Sequence, residues 1–212
     1  MRRVVVVLGL VMAGCASGSL TQQGSGLVEV AVPVRSRYIW GQVCPISETE
    51  ALTAEHVSSR RVDSVKSMRT PLTFEIAGVG GTLLEVASDL RRDLSRVEIQ
   101  DGPKFIRWFE RSDESPKPGD WVLVQGYDYE HGAIQTTGRY QVLATGIAGS
   151  FTYNGSPGPG SSGSCAVLER SGELVGVNTS LFDVSAGLET KQIGTSWSVW
   201  GAWGEIPEKW RE

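Results

Sequence analysis

The chain has 212 residues, 40% of them hydrophobic and 21% charged, with a formal net charge of -4. That length suffices for one domain with a sizeable core or for two small fused lobes. The acidic balance gives no bulk attraction to nucleic acid, and 26 glycines among many short apolar runs disfavour a helical body.

At the N-terminus, Arg2 and Arg3 precede an apolar run over residues 4–12 that is too short for a stable membrane anchor, the layout of an export signal. The run ends in Met12-Ala13-Gly14-Cys15, small residues before a cysteine, which looks like a bacterial lipobox. On that reading residues 1–14 are removed and Cys15 is lipidated, anchoring the chain at the periplasmic or outer face of the cell envelope. The plainer alternative is a secretory signal cut near Ala16 or Gly18. Either way the mature chain is exported. Residues 15–26, small and polar, read as a flexible tether.

Strand-like segments follow at 28–34, 38–44, 50–54, 62–65, 72–76, 83–86 and 97–99, separated by Gly, Pro, Asp and Ser turns. Arg60, Arg61, Lys66 and Arg69 among them read as a solvated loop. Residues 112–120, charged and carrying two prolines, read as a connector between one unit at 27–111 and another at 121–204. The second unit has strand-like segments at 121–126, 134–144, 147–153, 166–169, 174–179, 189–193 and 197–200. Residues 205–212 form a tail with a short helix expected from 206. Trp197, Trp200, Trp203 and Trp210 read as core and closing strand. No segment sustains a helical period, so the fold class is all-β, two small barrels or a sandwich pair.

Two motifs carry chemistry. In Gly160-Ser161-Ser162-Gly163-Ser164-Cys165 the glycines permit a sharp turn that exposes a hydroxyl and aims N–H groups at one point, as a nucleophile with an oxyanion product requires. His56, in Thr53-Ala54-Glu55-His56-Val57, supplies a general base; the other histidine, His131, reads as an exposed turn residue. Ser161 and Ser164 compete as nucleophiles, but Ser162 alone has a glycine directly after it. For the acid, Asp89 lies four residues before Asp93 and either could reach His56; Asp93 is favoured because apolar-alternating strand residues follow it. Cys44 and Cys165 either form a disulfide tying the two motif segments together or stay as buried thiols. Two histidines and one cysteine pair make no metal-ligand cluster, so no metal and no cofactor are expected.

These motifs resemble a known family. Leu52-Thr53-Ala54-Glu55-His56-Val57 resembles the L-T-A-A-H motif of trypsin-like serine peptidases, and residues 160–165 resemble their G-x-S-G-G-P. Asp93-Leu94-Ser95-Arg96-Val97 is similar to the strand bearing their acid. Residues 118–127 and Gly172-Glu173-Leu174-Val175-Gly176-Val177-Asn178-Thr179 resemble segments of bacterial HtrA-type members. The resemblance implies two perpendicular six-stranded β-barrels with the active site in the cleft between them. It implies Ser162 as nucleophile, His56 as base, Asp93 as acid and the N–H groups of Gly160 and Ser162 as oxyanion hole. It also implies Ser156 at the base of a neutral specificity pocket, Thr179 supporting the acid, and Thr179, Ser180 and Leu181 pairing with the substrate backbone. Glu55, Ser164 and Cys165 depart from the family pattern. No PDZ-like region is read after Trp203, so a monomer is expected. The function implied is an exported serine endopeptidase acting on protein or peptide, with a lipid on Cys15 and no nucleic-acid partner. The alternatives are a catalytically silent protease-fold binding or envelope-scaffold lipoprotein, and a serine esterase. The esterase is disfavoured because residues 166–173 read as strand and turn where its elbow leads into a helix.

Overall fold

The structure is a computed structural model; it describes residues 18–20, 31–37, 39–62, 66–128, 134–146, 149–155, 157–158, 160–186 and 189–198. In chain order the elements are β1 (Gly18–Leu20), β2 (Val32–Arg35), β3 (Trp40–Pro45), β4 (Glu50–Ala54), α1 (Glu55–Ser58), β5 (Ser59–Val62), β6 (Lys66–Arg69), β7 (Leu72–Ile76), β8 (Val79–Asp89), β9 (Leu94–Asp101) and β10 (Arg107–Phe109). Then come β11 (Trp121–Asp128), β12 (Ile134–Thr145), β13 (Ser150–Asn154), β14 (Cys165–Leu168), β15 (Leu174–Ala186) and β16 (Glu189–Ser198).

Two closed six-stranded barrels result, β2-β3-β4-β9-β8-β7 and β11-β12-β13-β16-β15-β14. Alternation explains their walls: in β7, Leu72 and Phe74 are buried while Thr73 and Glu75 face out. The first barrel closes over Val34, Val43, Ala51, Leu72, Phe74, Leu83, Val97 and Phe105. The second closes over Val122, Val124, Val142, Phe151, Tyr153, Ala166 and Leu168. A third cluster, including Cys44, Leu52 and Leu94 from one barrel and Cys165, Val167 and Val177 from the other, forms the seam between them. The buried Gln125 side chain reinforces that seam by accepting the Ala31 N–H at 2.6 Å.

Three sequence expectations change. Gly18–Leu20, placed in the tether, pairs in parallel with β10; strand pairing uses backbone groups alone, so a small polar composition does not prevent it. The basic stretch read as a loop is the hairpin β5–β6, with Ser59 opposite Arg69 and Val62 opposite Lys66. The segments 189–193 and 197–200 are bridged into β16, which runs without a break to Ser198 because it pairs with β15 on one side and β13 on the other. The leader, Cys15, the 206–212 helix and Trp200, Trp203 and Trp210 lie outside the described residues. Among the described residues no helix is long and apolar enough to cross a membrane.

Candidate active site

His56 stands on the single turn α1, directly after β4. Its ring Nδ1 lies 2.7 Å from Asp93 Oδ2, and its backbone N–H donates to Asp93 Oδ1 at 2.9 Å. The Glu55 N–H donates to the Asp93 carbonyl at 3.0 Å. One residue therefore holds the ring, the backbone and the start of the helix. Asp93 adopts φ +51°, a left-handed conformation that aspartate tolerates better than most side chains. The His56 and Asp93 side chains retain 36% and 25% exposure, so solvent reaches the pair.

Asp89 does something else. Its Oδ1 accepts the N–H groups of Arg91 and Arg92 at 3.0 and 3.2 Å, and its Oδ2 pairs with Arg92 Nη1 at 3.0 Å. It braces the turn that delivers Asp93. Glu55 is fully buried, where the Ser59 hydroxyl donates to its Oε1, while His56 beside it is part exposed; the two leave α1 on different faces.

On the opposite wall, Ser161 and Ser164 are buried and only Ser162 of the three serines is part exposed. The backbone around it is closely held. The Ser161 N–H donates to Gly158 O at 3.4 Å, the Gly163 N–H to Asn178 O at 2.7 Å and the Ser164 N–H to Ser161 O at 3.0 Å. The Asn178 amide donates to Ser161 O and Oγ at 3.1 and 3.0 Å, and its Oδ1 accepts the Tyr153 hydroxyl at 2.5 Å. The Ser161 hydroxyl in turn donates to Gly158 O at 2.6 Å. Among the described residues no acceptor engages the N–H groups of Gly160 or Ser162. The N–H groups of 161, 163 and 164 are thus used within the fold. Gly163, at φ +89°, is required twice over, because a Cβ there would lie 1.9 Å from the Gln42 carbonyl oxygen.

The two walls meet at β3. The Gln42 N–H donates to Ser162 O at 2.8 Å, and Gln42 Nε2 to Gly160 O at 3.5 Å. A Cβ on Gly41 would sit 2.7 Å from Val57 Cγ2 and 3.0 Å from Ser162 O, so the His56 helix and the Ser162 loop press on the same glycine from two sides. A disulfide joins Cys44 to Cys165. The Ser162 hydroxyl and the His56 ring are not hydrogen-bonded to each other; such contacts commonly tighten only when substrate binds. Thr179 is buried in β15 and makes no hydrogen bond to Asp93 among the described residues. Ser180 and Leu181 continue β15, opposite Thr195 and Gly194 of β16. Ser156 and His131 lie outside the described residues. Among the described residues no group of three or more metal-ligating side chains occurs.

Sequence reasoning did not single out Gln42, Tyr153, Asn178, Ser58, Ser95 or Glu85. Asn178 lies within the HtrA-like segment 172–179, whereas Glu85, flanked by Leu84 and Val86, gives no sign in the sequence that it turns inward. It shares the inward face of β8 with Leu83 and Ala87, where an alternating strand calls for an apolar residue.

The family model described as "Trypsin-like peptidase domain" matches residues 41–177, well over half of the chain. A probable periplasmic serine endoprotease DegP-like of Rhizobium meliloti is 32% identical over 123 residues, 54% of this chain and 24% of that protein. The protein of the same description from Bartonella henselae is 29% identical over 107 residues, 48% of this chain and 21% of that protein. The match thus spans less than a quarter of the length of these curated relatives. The crystal structure of the serine endoprotease from Yersinia pestis superposes with a TM-score of 0.64 at 25% identity, covering 87% of this chain and 64% of that one. The double barrel is therefore the trypsin-like fold.

Proposed function

The chain belongs to the trypsin-like peptidase domain family, and from that premise we propose that it is an exported serine endopeptidase using Ser162, His56 and Asp93. The observation that carries this is the double hold of Asp93 on His56, ring at 2.7 Å and backbone at 2.9 Å. With Nδ1–H donated to the carboxylate, His56 Nε2 carries the lone pair and serves as general base. Ser162 Oγ attacks the scissile carbonyl as its proton passes to Nε2. The oxyanion is received by the Gly160 and Ser162 N–H groups, each such donor contributing about 3–4 kcal/mol in the transition state. His56 returns the proton to the leaving amine, and water then hydrolyses the acyl-enzyme by the same path.

Residues 179–181 of β15 offer an edge for the substrate backbone. Ser156 carries no charge, so with Leu181 it favours a small or medium apolar side chain before the cleaved bond. Export follows the export-signal pattern of residues 1–14 and the word "periplasmic" in the description of both relatives. Cys15 is the lipidation site, residues 15–26 link it to the barrels, and the chain acts as a monomer without cofactor. Hydrolysis of fluorescently tagged unfolded casein by the mature chain tests the activity. Asp93→Asn, which keeps the shape and tolerates positive φ, should lower kcat/KM about 10⁴-fold. A folded chain that leaves casein intact sinks the peptidase and leaves a protease-fold binding module. Fatty-acid incorporation that persists in Cys15→Ala would remove the lipid assignment.

A further inference from the structure

We propose that Glu85 is a positioning residue whose buried carboxylate clamps the helix carrying His56 to the strand that follows Asp93. This rests on the serine-peptidase reading above and adds to it the device that keeps base and acid in register.

Glu85 is 2% exposed, between Leu83 and Ala87 on the inward face of β8. Its Oε2 accepts two hydroxyls, from Ser58 at 2.6 Å and from Ser95 at 2.9 Å. Its Oε1 lies 3.3 Å from Arg69 Nε, and Arg69 Nη1 donates to the Glu85 carbonyl at 3.4 Å. Ser58 follows His56 by two residues and Ser95 follows Asp93 by two. One carboxylate oxygen therefore joins the two segments that carry the reacting pair.

The helix needs that join. A four-residue helix does not hold itself, because its few hydrogen bonds cannot offset the ordering of the chain. Its N-cap, Ala54, contributes no side-chain bond. The start is held by Asp93 through the Glu55 and His56 N–H groups. At the end, the Ser58 carbonyl accepts the Thr70 N–H at 3.1 Å and the Ser58 hydroxyl is gripped by Glu85. His56 is suspended between two carboxylates, one at each end of one turn. Stability alone accounts poorly for an acid here, since a buried charge is commonly no better than a well-packed apolar residue of the same size. Directional bonds to two hydroxyls do what an apolar side chain cannot, which is to set the distance between the two segments. Local violations of the hydrophobic pattern of this kind gather at functional sites.

The test compares the mature chain with Glu85→Gln, Glu85→Leu and Ser58→Ala. The readouts are the rate constant and final extent of Ser162 labelling by a fluorophosphonate, and the low-field proton NMR signal of the His56 Nδ1–H bonded to Asp93. Glu85→Leu and Ser58→Ala should label about 10- to 100-fold more slowly, the cost of a displacement on the order of 1 Å, while still reaching full extent. Both should broaden or lose the low-field signal. Glu85→Gln keeps an oxygen for both hydroxyls and should stay near the parent in rate and signal. If Glu85→Leu and Ser58→Ala label at the parental rate with the signal intact, the clamp is overturned. A loss confined to the labelled fraction, with the remainder reacting at the parental rate, overturns it equally in favour of a merely structural acid. If Glu85→Leu does not fold, Ser58→Ala decides, since it leaves Glu85 with Ser95 and Arg69. A parent that never labels yet shows a signal that vanishes in Ser58→Ala would sink the peptidase reading and keep the clamp.

Discussion

The two walls of the cleft are held by different chemistry. The first barrel holds His56 with carboxylates, Asp93 at the start of α1 and Glu85 at its end. The second holds the Ser162 loop with neutral groups, the Tyr153–Asn178–Ser161 chain and backbone bonds. Under the proposed chemistry the contrast follows from the task. A base that becomes cationic is stabilised by nearby anions, whereas a loop that must receive an oxyanion is served by amides and would be opposed by a carboxylate.

Asn178→Asp attacks that contrast most strongly. It preserves shape but places a carboxylate oxygen against Ser161 O, where an amide N–H now donates at 3.1 Å. The expected result is a fall in kcat of about 10²- to 10³-fold with KM little changed, on the scale of losing one oxyanion donor. Equal activity in steady-state kinetics would show that the neutral chain is incidental. Gly163→Ala should lower the labelling rate at least about 100-fold, because its Cβ would force the loop away from the Gln42 carbonyl. A parental rate with an unchanged melting curve would contradict the close packing described for that turn.

The disulfide sharpens the comparison by asking how firmly the two walls are tied. Cys44 and Cys165 are 121 residues apart in sequence, so the bond closes a long loop in the unfolded chain. Replacing both by alanine should cost about 2–4 kcal/mol in denaturant unfolding. The smallest effect lies outside the cleft. The hydrogen bond from Arg139 holds the Glu169 carboxyl below the usual carboxylate range, and the one from Arg170 does the same for Glu114. A depressed folded value means the stabilisation is present above the ordinary carboxylate pKa and is lost as pH falls through the folded one. Both pairs lie at the surface, so Glu169→Gln should lower the melting temperature only slightly at neutral pH and low salt. The difference should vanish in acid.

Fold class was legible because it rests on local signals, short alternating segments and turn residues repeated along the chain. The same was true of His56 and Ser162 as candidates, since their motifs are contiguous. The supports were not legible. Glu85 meets Ser58 across 27 residues and Tyr153 meets Asn178 across 25, and nothing in either segment announces its partner. The sequence favoured Asp93 over Asp89 by the residues that follow it, but not the turn itself, which one aspartate braces and which sets the other against His56. Backbone pairing hid the rest, since neither the small polar β1 nor the basic residues on either side of 62–65 have a side-chain pattern that separates them from a loop.

The most direct measurement is mass-spectrometric mapping of the fluorophosphonate adduct on the mature chain beside Ser162→Ala and Asp93→Asn. The proposed triad predicts one adduct, on Ser162, absent from Ser162→Ala and formed about 10⁴-fold more slowly in Asp93→Asn. An adduct on Ser161 or Ser164, or a labelling rate indifferent to Asp93, would contradict it.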